Sequence, residues 1–370
     1  MTPIRIPLST TPFDAHGLTS VLEQYAREPQ AIILRDFESG LRQLTGARYA
    51  LALSSGTAGI HLALKASGVG VGDIVLVSSF TYVASVNPIL YLGAVPAFVD
   101  SEETTWNMDP SLLEQSITDF LKKNIVPKAI LVVHAYGMPA RMNEILGIGN
   151  KYGIVVIEDA AEALGSEIDG RKLGTLGTTG IFSFNNNKIM TTYGGGALIT
   201  NDQMVFDNAL RWANQSRENK SHYEHKELGY NYRMGPLAAA QGILGLRTLD
   251  NKLKARRSIH EKYRNGLRDA PVSFVDEPSG FVSNRWLSTI RLKTLKIPHI
   301  QAEMVQAGIE TRQLWKPMDE QPVFQGFPSC SRGISANLFE TGLTLPSSEH
   351  LAAEDMQSVI SVITNSITGS

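Results

Sequence analysis

The stretch that decides the fold is Phe182-Ser183-Phe184-Asn185-Asn186-Asn187-Lys188, which is followed by Gly194-Gly195-Gly196. Upstream, the apolar run Ile154-Val155-Val156-Ile157 ends in Glu158-Asp159. An apolar strand that ends in aspartate, followed by a serine and a lysine in a polar turn before glycines, is what pyridoxal phosphate (PLP) chemistry needs. The aspartate can pair with the pyridinium nitrogen, and the lysine amine can form a Schiff base with the aldehyde. The pattern therefore predicts a PLP site around Lys188.

Each piece of this pattern also has an ordinary explanation. A lysine after polar residues is usually a solvated surface residue, and consecutive glycines usually form a loop. An aspartate at the end of a strand is often a turn residue or a helix cap. The functional interpretation of Lys188 and Asp159 depends on the joint occurrence of all the pieces in this order.

The composition is that of an ordinary globular protein. The chain has 370 residues, of which 43% are hydrophobic and 19% charged, which is enough for one large domain and a smaller one. The formal net charge of −2 indicates no basic surface for nucleic acid. The single cysteine, Cys330, can form neither an internal disulfide nor a thiolate metal site, and this fits a reducing compartment.

The chain shows no sign of a targeting or membrane segment. Residues 1–7 contain no apolar core of signal-peptide length. No apolar run approaches the ~18 residues that a membrane span requires. We therefore expect a cytoplasmic protein that has no membrane, nucleic-acid or metal partner.

Short β-rich runs alternate with helical patterns between residues 45 and 200, which is typical of an α/β fold. The near-continuous apolar runs at 129–133 and 154–157 indicate parallel strands that are buried on both faces. Further strands are predicted at 49–53, 74–77 and 94–99, and helices at 58–66, 111–122, 141–152, 202–214 and 236–268. Ligands of such sheets bind at the carboxyl ends of strands, where Asp100, Asp159 and the corner 54–57 fall.

A smaller α+β part is predicted to follow the large domain. It contains a strand pattern at 285–292 and a final helix at about 351–366. We predict a large PLP-binding domain with an N-terminal arm over residues 1–250 and a small C-terminal domain over residues 251–370. No Pro/Gly/Ser-rich linker marks this boundary.

The corner Ser54-Ser55-Gly56-Thr57 lies between a predicted strand and a predicted helix. Free backbone N–H groups and the helix dipole make such a corner an anion site, to which Thr57 and Ser183 can add hydroxyl donors. The alternative, which the sequence leaves equally open, is that a hydroxyl residue simply caps the helix.

Two further side chains can face a bound ring. Tyr82 follows the strand at 74–77 and can stack on a flat heterocycle, although an aromatic residue in an α/β core usually just packs. Glu162 is three residues beyond Asp159 and can approach a phenolic oxygen of the ring. The alternative for Glu162 is a glutamate in the first turn of a helix, where the dipole favours it.

In this combination and order, the motifs resemble those of the DegT/DnrJ/StrS sugar aminotransferases. The resemblance runs from about Phe37 to Leu253 and continues more weakly to the end of the chain. The motifs that carry it are Ser54–Ala58, Thr81–Ser85, His134–Gly137, Glu158–Ala161, Phe182–Phe184 with Lys188, Gly194–Gly196 and Gly229–Met234. The resemblance implies the fold type I architecture, with a mostly parallel seven-stranded sheet in the large domain and a smaller C-terminal α+β domain.

The resemblance also implies roles for individual residues. Lys188 would hold PLP as a Schiff base, Asp159 would bind the pyridine nitrogen, and Tyr82 would stack on the ring. The implied phosphate contacts are Gly56, Thr57 and Ser183. Asn231 would reach the phosphate of the neighbouring subunit, so that the active unit would be a homodimer with shared active sites.

Within that family the chain looks most like the C4 aminotransferases of the UDP-N-acetylbacillosamine pathway. These enzymes aminate a UDP-linked 4-keto-6-deoxy-N-acetylglucosamine with L-glutamate. The stretches concerned are Glu158–Ser166, Asn185–Lys188, Arg217–Asn219 with His222–His225, and Ser283–Thr289. Glu162 fits this subgroup, whereas Gln or His is common there in the wider family. Asp319 departs from the family, which usually has His at that place near the nucleotide sugar, and this leaves the nucleotide and the sugar open.

The candidate substrate residues are Asn187, Arg233, Lys316 and Asp319. The diphosphate of a nucleotide sugar needs cationic or backbone donors, which Lys316 and Arg233 can supply. Each of these two cations is also readily explained as a surface or structural residue.

The predicted reaction moves the amino group of L-glutamate to UDP-2-acetamido-2,6-dideoxy-4-keto-hexose. The product would be a UDP-4-amino-4,6-dideoxy sugar for bacterial surface glycans such as lipopolysaccharide. The alternatives are a GDP- or dTDP-linked keto sugar (perosamine-type or 3-amino sugar), a PLP-dependent sugar dehydratase, and a non-catalytic regulator of the same fold. The dehydratases place His where this chain has Lys188, and a regulator needs no Schiff-base lysine, so Lys188 favours the aminotransferase.

Overall fold

The fold is taken from a computed structural model that describes residues 3–293 and 297–368. Within these residues the α-helices are α1 (Ala15–Gln24), α2 (Gln30–Thr45), α3 (Gly56–Ala66), α4 (Val83–Tyr91), α5 (Pro110–Leu121), α6 (Met142–Tyr152), α7 (Gln203–Ala213), α8 (Pro236–Gly266), α9 (Ile297–Gln306), α10 (Ile334–Thr341) and α11 (Ala353–Thr368). None of the described helices has both the length and the apolar character that a bilayer crossing requires.

The strands of the described chain alternate with these helices in the first half and are shorter in the second. They are β1 (Tyr49–Leu53), β2 (Ile74–Ser78), β3 (Val95–Val99), β4 (Ala129–Val133), β5 (Val155–Asp159), β6 (Glu167–Ile168), β7 (Arg171–Lys172), β8 (Thr179–Ser183), β9 (Gly196–Thr200), β10 (Val272–Ser273), β11 (Phe281–Val282), β12 (Ser288–Leu292), β13 (Arg312–Gln313), β14 (Ser329–Cys330) and β15 (Gly342–Leu345).

The central sheet has the strand order β1-β9-β8-β5-β4-β2-β3-β14. Only β9 runs antiparallel to its neighbours, β1 and β8, and all the other pairs are parallel. The predicted α/β fold with a mostly parallel sheet is therefore confirmed. The expected seven strands are joined by an eighth, the two-residue β14, which the C-terminal half of the chain adds beside β3.

Successive apolar side chains of each strand point to opposite faces of the sheet, where they pack into two hydrophobic cores, one on each face. In β1, Ala50 and Ala52 pack on one face of the sheet, and Leu51 and Leu53 pack on the other. Helix α3 lies against the second face, and its Gly59 packs directly under Ile181 of β8. This packing holds the start of α3 against the carboxyl ends of β1 and β8.

The C-terminal part builds its own antiparallel sheet in the order β10-β12-β15-β13. A third apolar cluster fills the space between this sheet and helices α8, α9 and α11, and it contains Tyr263, Ile290, Leu343 and Val359. Helix α8 runs without a break through the predicted boundary at residue 250. Ile6 pairs with Ile309, so the N-terminal segment also contacts the C-terminal part. The division into residues 1–250 and 251–370 stays a prediction.

The register of the central sheet brings the predicted site residues to one edge. Ser183 at the end of β8 and Leu53 at the end of β1 both pair with Gly196, the first residue of β9. Asp159 at the end of β5 pairs with Ile181 on one side and Val133 on the other. The carboxyl ends of these parallel strands thus form one rim, as expected of a ligand site in an open α/β sheet.

Candidate active site

The Lys188 amine is largely shielded from solvent beside the polar turn that follows β8. Its side chain is 13% exposed, and the Nζ lies 3.0 Å from Oε1 of Glu162. The same Nζ lies 4.2 Å from the centroid of the Trp286 ring. The carboxylate and the aromatic face thus fix the position of the amine and shield it from bulk water.

Asp159 ends β5 with a buried carboxylate that is fixed from two sides. Its Oδ2 accepts a hydrogen bond of 2.6 Å from the Ser85 hydroxyl, and its Oδ1 accepts one of 3.1 Å from the Ala161 N–H. The Ser85 hydroxyl is itself 2.6 Å from that of Thr81. Ser85 belongs to the quoted motif Thr81–Ser85, but nothing in the sequence assigned it a role, and the fold shows that α4 brings its hydroxyl to Asp159.

Glu162 lies near both Lys188 and Asp159, in a turn and not in a helix. The alternative of a glutamate in the first helical turn is therefore wrong, because the chain after Asp159 turns back towards β6 instead of continuing as a helix. Its Oε2 accepts a hydrogen bond of 2.9 Å from the Tyr136 N–H. Burial raises the pKa of Glu162, as does Asp159, while Lys188 and the Tyr136 N–H act in the opposite direction. The charges of Lys188 and Asp159 thus act on the same carboxyl group.

Glycines allow three backbone segments to meet at the start of α3. A Cβ on Gly56 would lie 3.2 Å from the Cβ of Ser183, and one on Gly196 would lie 2.4 Å from the Gly56 nitrogen. Ser55 caps the helix, since its hydroxyl accepts a hydrogen bond of 3.1 Å from the Ala58 N–H. The capping interpretation is therefore confirmed for Ser55. It leaves the phosphate role of Gly56, Thr57 and Ser183 as a prediction, because a helix start still presents N–H groups without intrahelical partners.

A group of aromatic rings, for which the sequence predicts no role, lies beside Lys188. Tyr136 stacks between Trp315, at 4.4 Å and 19°, and Trp286, at 6.2 Å and 15°. The Phe80 ring contacts both Trp315, at 5.5 Å, and Tyr136, at 6.0 Å. Tyr136 and Trp286 lie in quoted motifs, but they are far apart in sequence, so only the fold shows that they are neighbours.

These residues fit PLP. A buried amine and a buried carboxylate at a neighbouring strand end face the same turn, as a Schiff-base lysine and a pyridinium partner must. Gly56 lets the start of α3 lie close against Ser183, so the helix N-terminus and the Ser183 hydroxyl come together at one corner that suits an anion. The chain therefore has residues suited to each end of the cofactor.

Two of the predicted residues lie at the surface of this chain. Tyr82 precedes α4 at the expected rim but is 60% exposed. Asn231 lies in a cleft of about 430 Å³ whose lining includes Arg217, Lys220 and Arg233, and which Lys188 and Asp159 do not line. The cleft and the Lys188 site are thus separate in a single subunit.

Three of the four candidate substrate residues make contacts within the chain that have no bearing on substrate. The carbonyl of Asn187 accepts a hydrogen bond of 2.7 Å from Trp286 Nε1, and the carbonyl of Lys316 accepts one of 3.4 Å from Gln321. Arg233 forms a salt bridge of 2.8 Å with Glu38. Their roles towards substrate stay predictions, with Arg233 also serving a structural contact.

The carboxylate of Asp319 joins three segments of the fold. One oxygen accepts a hydrogen bond from the hydroxyl of Ser79, which follows β2, and the other accepts one of 2.6 Å from Ser329 of β14. The residue thus ties its own 3₁₀ turn, Met318–Glu320, to the rim of the central sheet. A role towards substrate stays a prediction for this residue too.

Comparisons with known proteins place the chain among sugar aminotransferases. A model of the DegT/DnrJ/EryC1/StrS aminotransferase family matches residues 29–364. EpsN of Bacillus subtilis (strain 168), named as a candidate pyridoxal phosphate-dependent aminotransferase, is 42% identical over 356 residues, which cover 95% of this chain and 92% of EpsN. GDP-perosamine synthase of Escherichia coli O157:H7 is 35% identical over 328 residues, which cover 87% of each chain. The crystal structure of a DegT DnrJ EryC1 StrS aminotransferase from Brucella abortus matches with a TM-score of 0.88 at 27% identity, over 95% of each chain.

Proposed function

Since the chain belongs to the DegT/DnrJ/EryC1/StrS aminotransferase family, we propose that it moves the amino group of L-glutamate to a nucleotide-linked 4-keto-6-deoxy sugar. The family and its coarse chemistry are established: the chain is a PLP-dependent sugar aminotransferase, as the motifs predicted. The observation that carries the site assignment is the Lys188 amine, which lies 3.0 Å from Glu162 in the turn that Asp159 begins. The donor, the acceptor and the residue roles are the proposed part.

The acceptor that we propose is UDP-2-acetamido-2,6-dideoxy-4-keto-hexose, aminated at C4. The support for it is the sequence resemblance in Glu158–Ser166, Asn185–Lys188 and Ser283–Thr289. Two of these segments meet in the structure, because Trp286 donates a hydrogen bond to the Asn187 carbonyl and contacts the Lys188 amine. The product would be a UDP-4-amino-4,6-dideoxy sugar that supplies a bacterial surface glycan.

A second candidate acceptor is a GDP-linked 4-keto sugar. The observation that favours it is the name shared by three relatives, the GDP-perosamine synthases of Escherichia coli, Vibrio cholerae and Caulobacter vibrioides, which are 33–35% identical to this chain. Asp319, which replaces the family's usual His, is consistent with a sugar pocket that differs from the usual one.

PLP supplies an electron sink for the bond that breaks at the α-carbon of the amino acid. Lys188 would hold the cofactor's aldehyde through Nζ, and its amine, once free, would take a proton from the α-carbon of glutamate and, in the second half of the reaction, give one to the sugar carbon. Asp159 would hold the ring nitrogen through the carboxylate that Ser85 and Ala161 keep in place. The backbone at Gly56 and the hydroxyls of Thr57 and Ser183 would hold the phosphate.

We propose a homodimer in which each active site takes residues from both subunits. Asn231 lies in a cationic cleft apart from Lys188, as expected of a residue that serves the partner's site. Large apolar side chains are exposed on the single subunit, among them Tyr82, Tyr223, Leu228 and Leu237 at 60%, 77%, 69% and 67%. The low cysteine content supports a cytoplasmic location.

The test is a panel of UDP-, GDP- and dTDP-linked 4-keto-6-deoxy sugars offered with L-glutamate, with amino-sugar products identified by mass. We expect amination of the UDP-linked acetamido sugar and formation of 2-oxoglutarate. Amination of only the GDP-linked sugar would replace the first candidate by the second. Lys188→Ala is the control, and it should abolish turnover while its circular dichroism spectrum stays that of the native fold.

A further inference from the structure

The peptide unit that joins Asn187 to Lys188 is held at both of its polar groups. Its N–H, that of Lys188, donates a hydrogen bond of 3.1 Å to the Asn185 carbonyl. Its carbonyl, that of Asn187, accepts two hydrogen bonds, one of 2.7 Å from Trp286 Nε1 and one of 3.1 Å from the Ser9 hydroxyl. Because a peptide unit is planar, these three hydrogen bonds fix the orientation of the plane and with it the position of the Lys188 Cα.

One buried guanidinium holds both of the residues that donate to this carbonyl. Arg256 of α8 is fully buried. Its Nη1 donates a hydrogen bond of 3.1 Å to the Trp286 carbonyl, and its Nη2 donates one of 3.1 Å to the Ser9 hydroxyl oxygen. Glu349 lies 3.2 Å from Nη2 and compensates the buried positive charge. Because a guanidinium is planar and rigid, it sets the spacing between Trp286 and Ser9.

The arginine also fixes the direction in which the Ser9 hydroxyl points its proton. A guanidinium can only donate, so the Ser9 oxygen accepts from Arg256. A hydroxyl has a single proton, and at Ser9 that proton is directed to the Asn187 carbonyl. An alanine in place of Ser9 would leave this carbonyl with Trp286 Nε1 as its donor.

Ser9 lies on an N-terminal segment that is tied to the C-terminal part of the chain. The Leu8 N–H donates a hydrogen bond of 3.0 Å to the Glu310 carboxylate. The Leu8 carbonyl accepts one of 2.8 Å from the Ser347 N–H. The segment therefore joins the C-terminal part to the turn after β8, and Ser9 is its contact with that turn.

We propose that Ser9 is a positioning residue for Lys188, which acts through the Asn187 carbonyl and fixes the place from which the amine reaches the cofactor. This rests on the role proposed above for Lys188. The hydrogen bonds that carry the proposal join backbone, hydroxyl, indole and guanidinium groups and leave Nζ free, so they are compatible with a cofactor bound there. A lysine has a long flexible stem, and a fixed Cα reduces the conformational freedom that is lost when Nζ is held.

The first test measures hydrogen exchange in the cofactor-free protein, in the peptide that contains Lys188. Ser9→Ala should speed exchange there about 5-fold, the factor that corresponds to one lost hydrogen bond. Ser9→Thr keeps the hydroxyl and should exchange at the native rate. Thr10→Ala is the matched control, because it removes the neighbouring hydroxyl, which contacts Ser348 and His350, and it should also exchange at the native rate. Native exchange in Ser9→Ala would overturn the proposal.

The second test asks whether Ser9 acts through Lys188 or only supports the fold. The Kd for PLP is measured by equilibrium dialysis for four proteins: native, Ser9→Ala, Lys188→Ala and the double variant. We expect Ser9→Ala to raise the Kd about 5-fold where Lys188 is present. In the Lys188→Ala background the same change should leave the Kd unaltered, because the side chain that Ser9 positions is gone. An equal rise in both backgrounds would show that Ser9 is merely structural and would overturn the proposal.

Failure of this proposal can be told apart from failure of the proposed function. If Lys188→Ala loses the yellow Schiff-base absorbance while Ser9→Ala behaves as the native protein in both tests, the role of Ser9 is refuted and that of Lys188 stands. If Lys188→Ala instead keeps the absorbance and the native Kd for PLP, the role of Lys188 is refuted, and the positioning role of Ser9 is refuted with it.

Discussion

His260 is a buried residue without a hydrogen-bond partner for either ring nitrogen among the described residues. It is 1% exposed and packs edge-on against Phe274 at 5.4 Å and 88°. Burial, reinforced by the charges of Arg285, Arg264 and Arg257, lowers its pKa from 6.5 to about 3. The folded protein therefore holds this side chain neutral at pH values where the unfolded chain binds a proton.

This residue should make the free energy of unfolding depend on pH. Above pH 6.5 the imidazole is neutral in both states, so its full contribution is present. As the pH falls from 6.5 towards 3, the unfolded state gains a proton that the folded state lacks, at about 1.4 kcal/mol per pH unit. His260→Phe removes this term, so urea titrations at pH 8 and pH 5 should show a variant that loses less stability than the native protein. Equal losses in both proteins would contradict the assignment.

The positions of Lys188 and Asp159 at one edge of the sheet could be predicted from sequence, whereas their neighbours could not. Asp159 stands out because it ends a strand, and Lys188 because it lies in the polar turn after the next strand of the sheet, and the parallel pairing of β5 with β8 brings the two segments to one rim. Ser85, Tyr136 and Trp286 reach the site from separate segments, and nothing local in the sequence states that they touch. Long-range contacts of this kind follow only from the register of the sheet.

Among the structural elements, Asp100 shows how the C-terminal half of the chain is joined to the central sheet. It follows β3 with 1% exposure, and its carboxylate accepts hydrogen bonds from the backbone N–H groups of Arg332, Ile334 and Ser335, at 2.8, 3.0 and 2.9 Å. Burial alone would raise the pKa of Asp100, but the hydroxyl and N–H of Ser335, the N–H of Ser101 and the hydroxyl of Ser331 hold it below its usual range. The carboxylate thus fixes the turn between β14 and α10.

Asp100→Asn should weaken this junction. The side-chain amide replaces one acceptor oxygen by an NH₂ group, which would face backbone N–H groups that also need an acceptor. We expect a loss of about 2 kcal/mol in the free energy of unfolding, measured in urea at pH 7. Ser331→Ala, which removes a single hydroxyl donor to Asp100, should cost about 1 kcal/mol. Hydrogen exchange should increase around β14 in the Asp100 variant, and an unchanged pattern there would refute the role of Asp100.

Strands and helices with a regular pattern of apolar residues agree with the prediction, whereas those without such a pattern were not predicted. The strand at 129–133 has the predicted bounds, because five consecutive buried apolar residues leave no other register. Helix α4 was missed, since Pro88 lies within it and breaks the usual helical pattern. Strand β14 was missed because its two residues have no periodicity, and only pairing with β3 makes them a strand.

For the whole molecule, the proposed shared active site predicts complementation between two defective subunits. Lys188→Ala removes the amine of one site, and Asn231→Ala removes the contact to the partner's phosphate. If the two variants are unfolded together and refolded as an equal mixture, half of the dimers should be mixed, and each mixed dimer should have one intact site. The activity should then recover to about a quarter of the native value.

Two controls make this experiment decisive. Each variant refolded alone should stay nearly inactive, and light scattering should give about twice the subunit mass of 40.4 kDa. A mixture that is no more active than its components would contradict the sharing of sites between subunits. It would leave the assignment of Lys188 within one subunit untouched.

The central claim is that Lys188 is the residue that binds PLP. Reduction of the yellow holoenzyme with borohydride, followed by proteolysis and mass spectrometry of the peptides, tests it most directly. We predict one labelled peptide, with the cofactor on Lys188, and no label in the Lys188→Ala protein. A label on another lysine, with Lys188 unmodified, would contradict this account of the site.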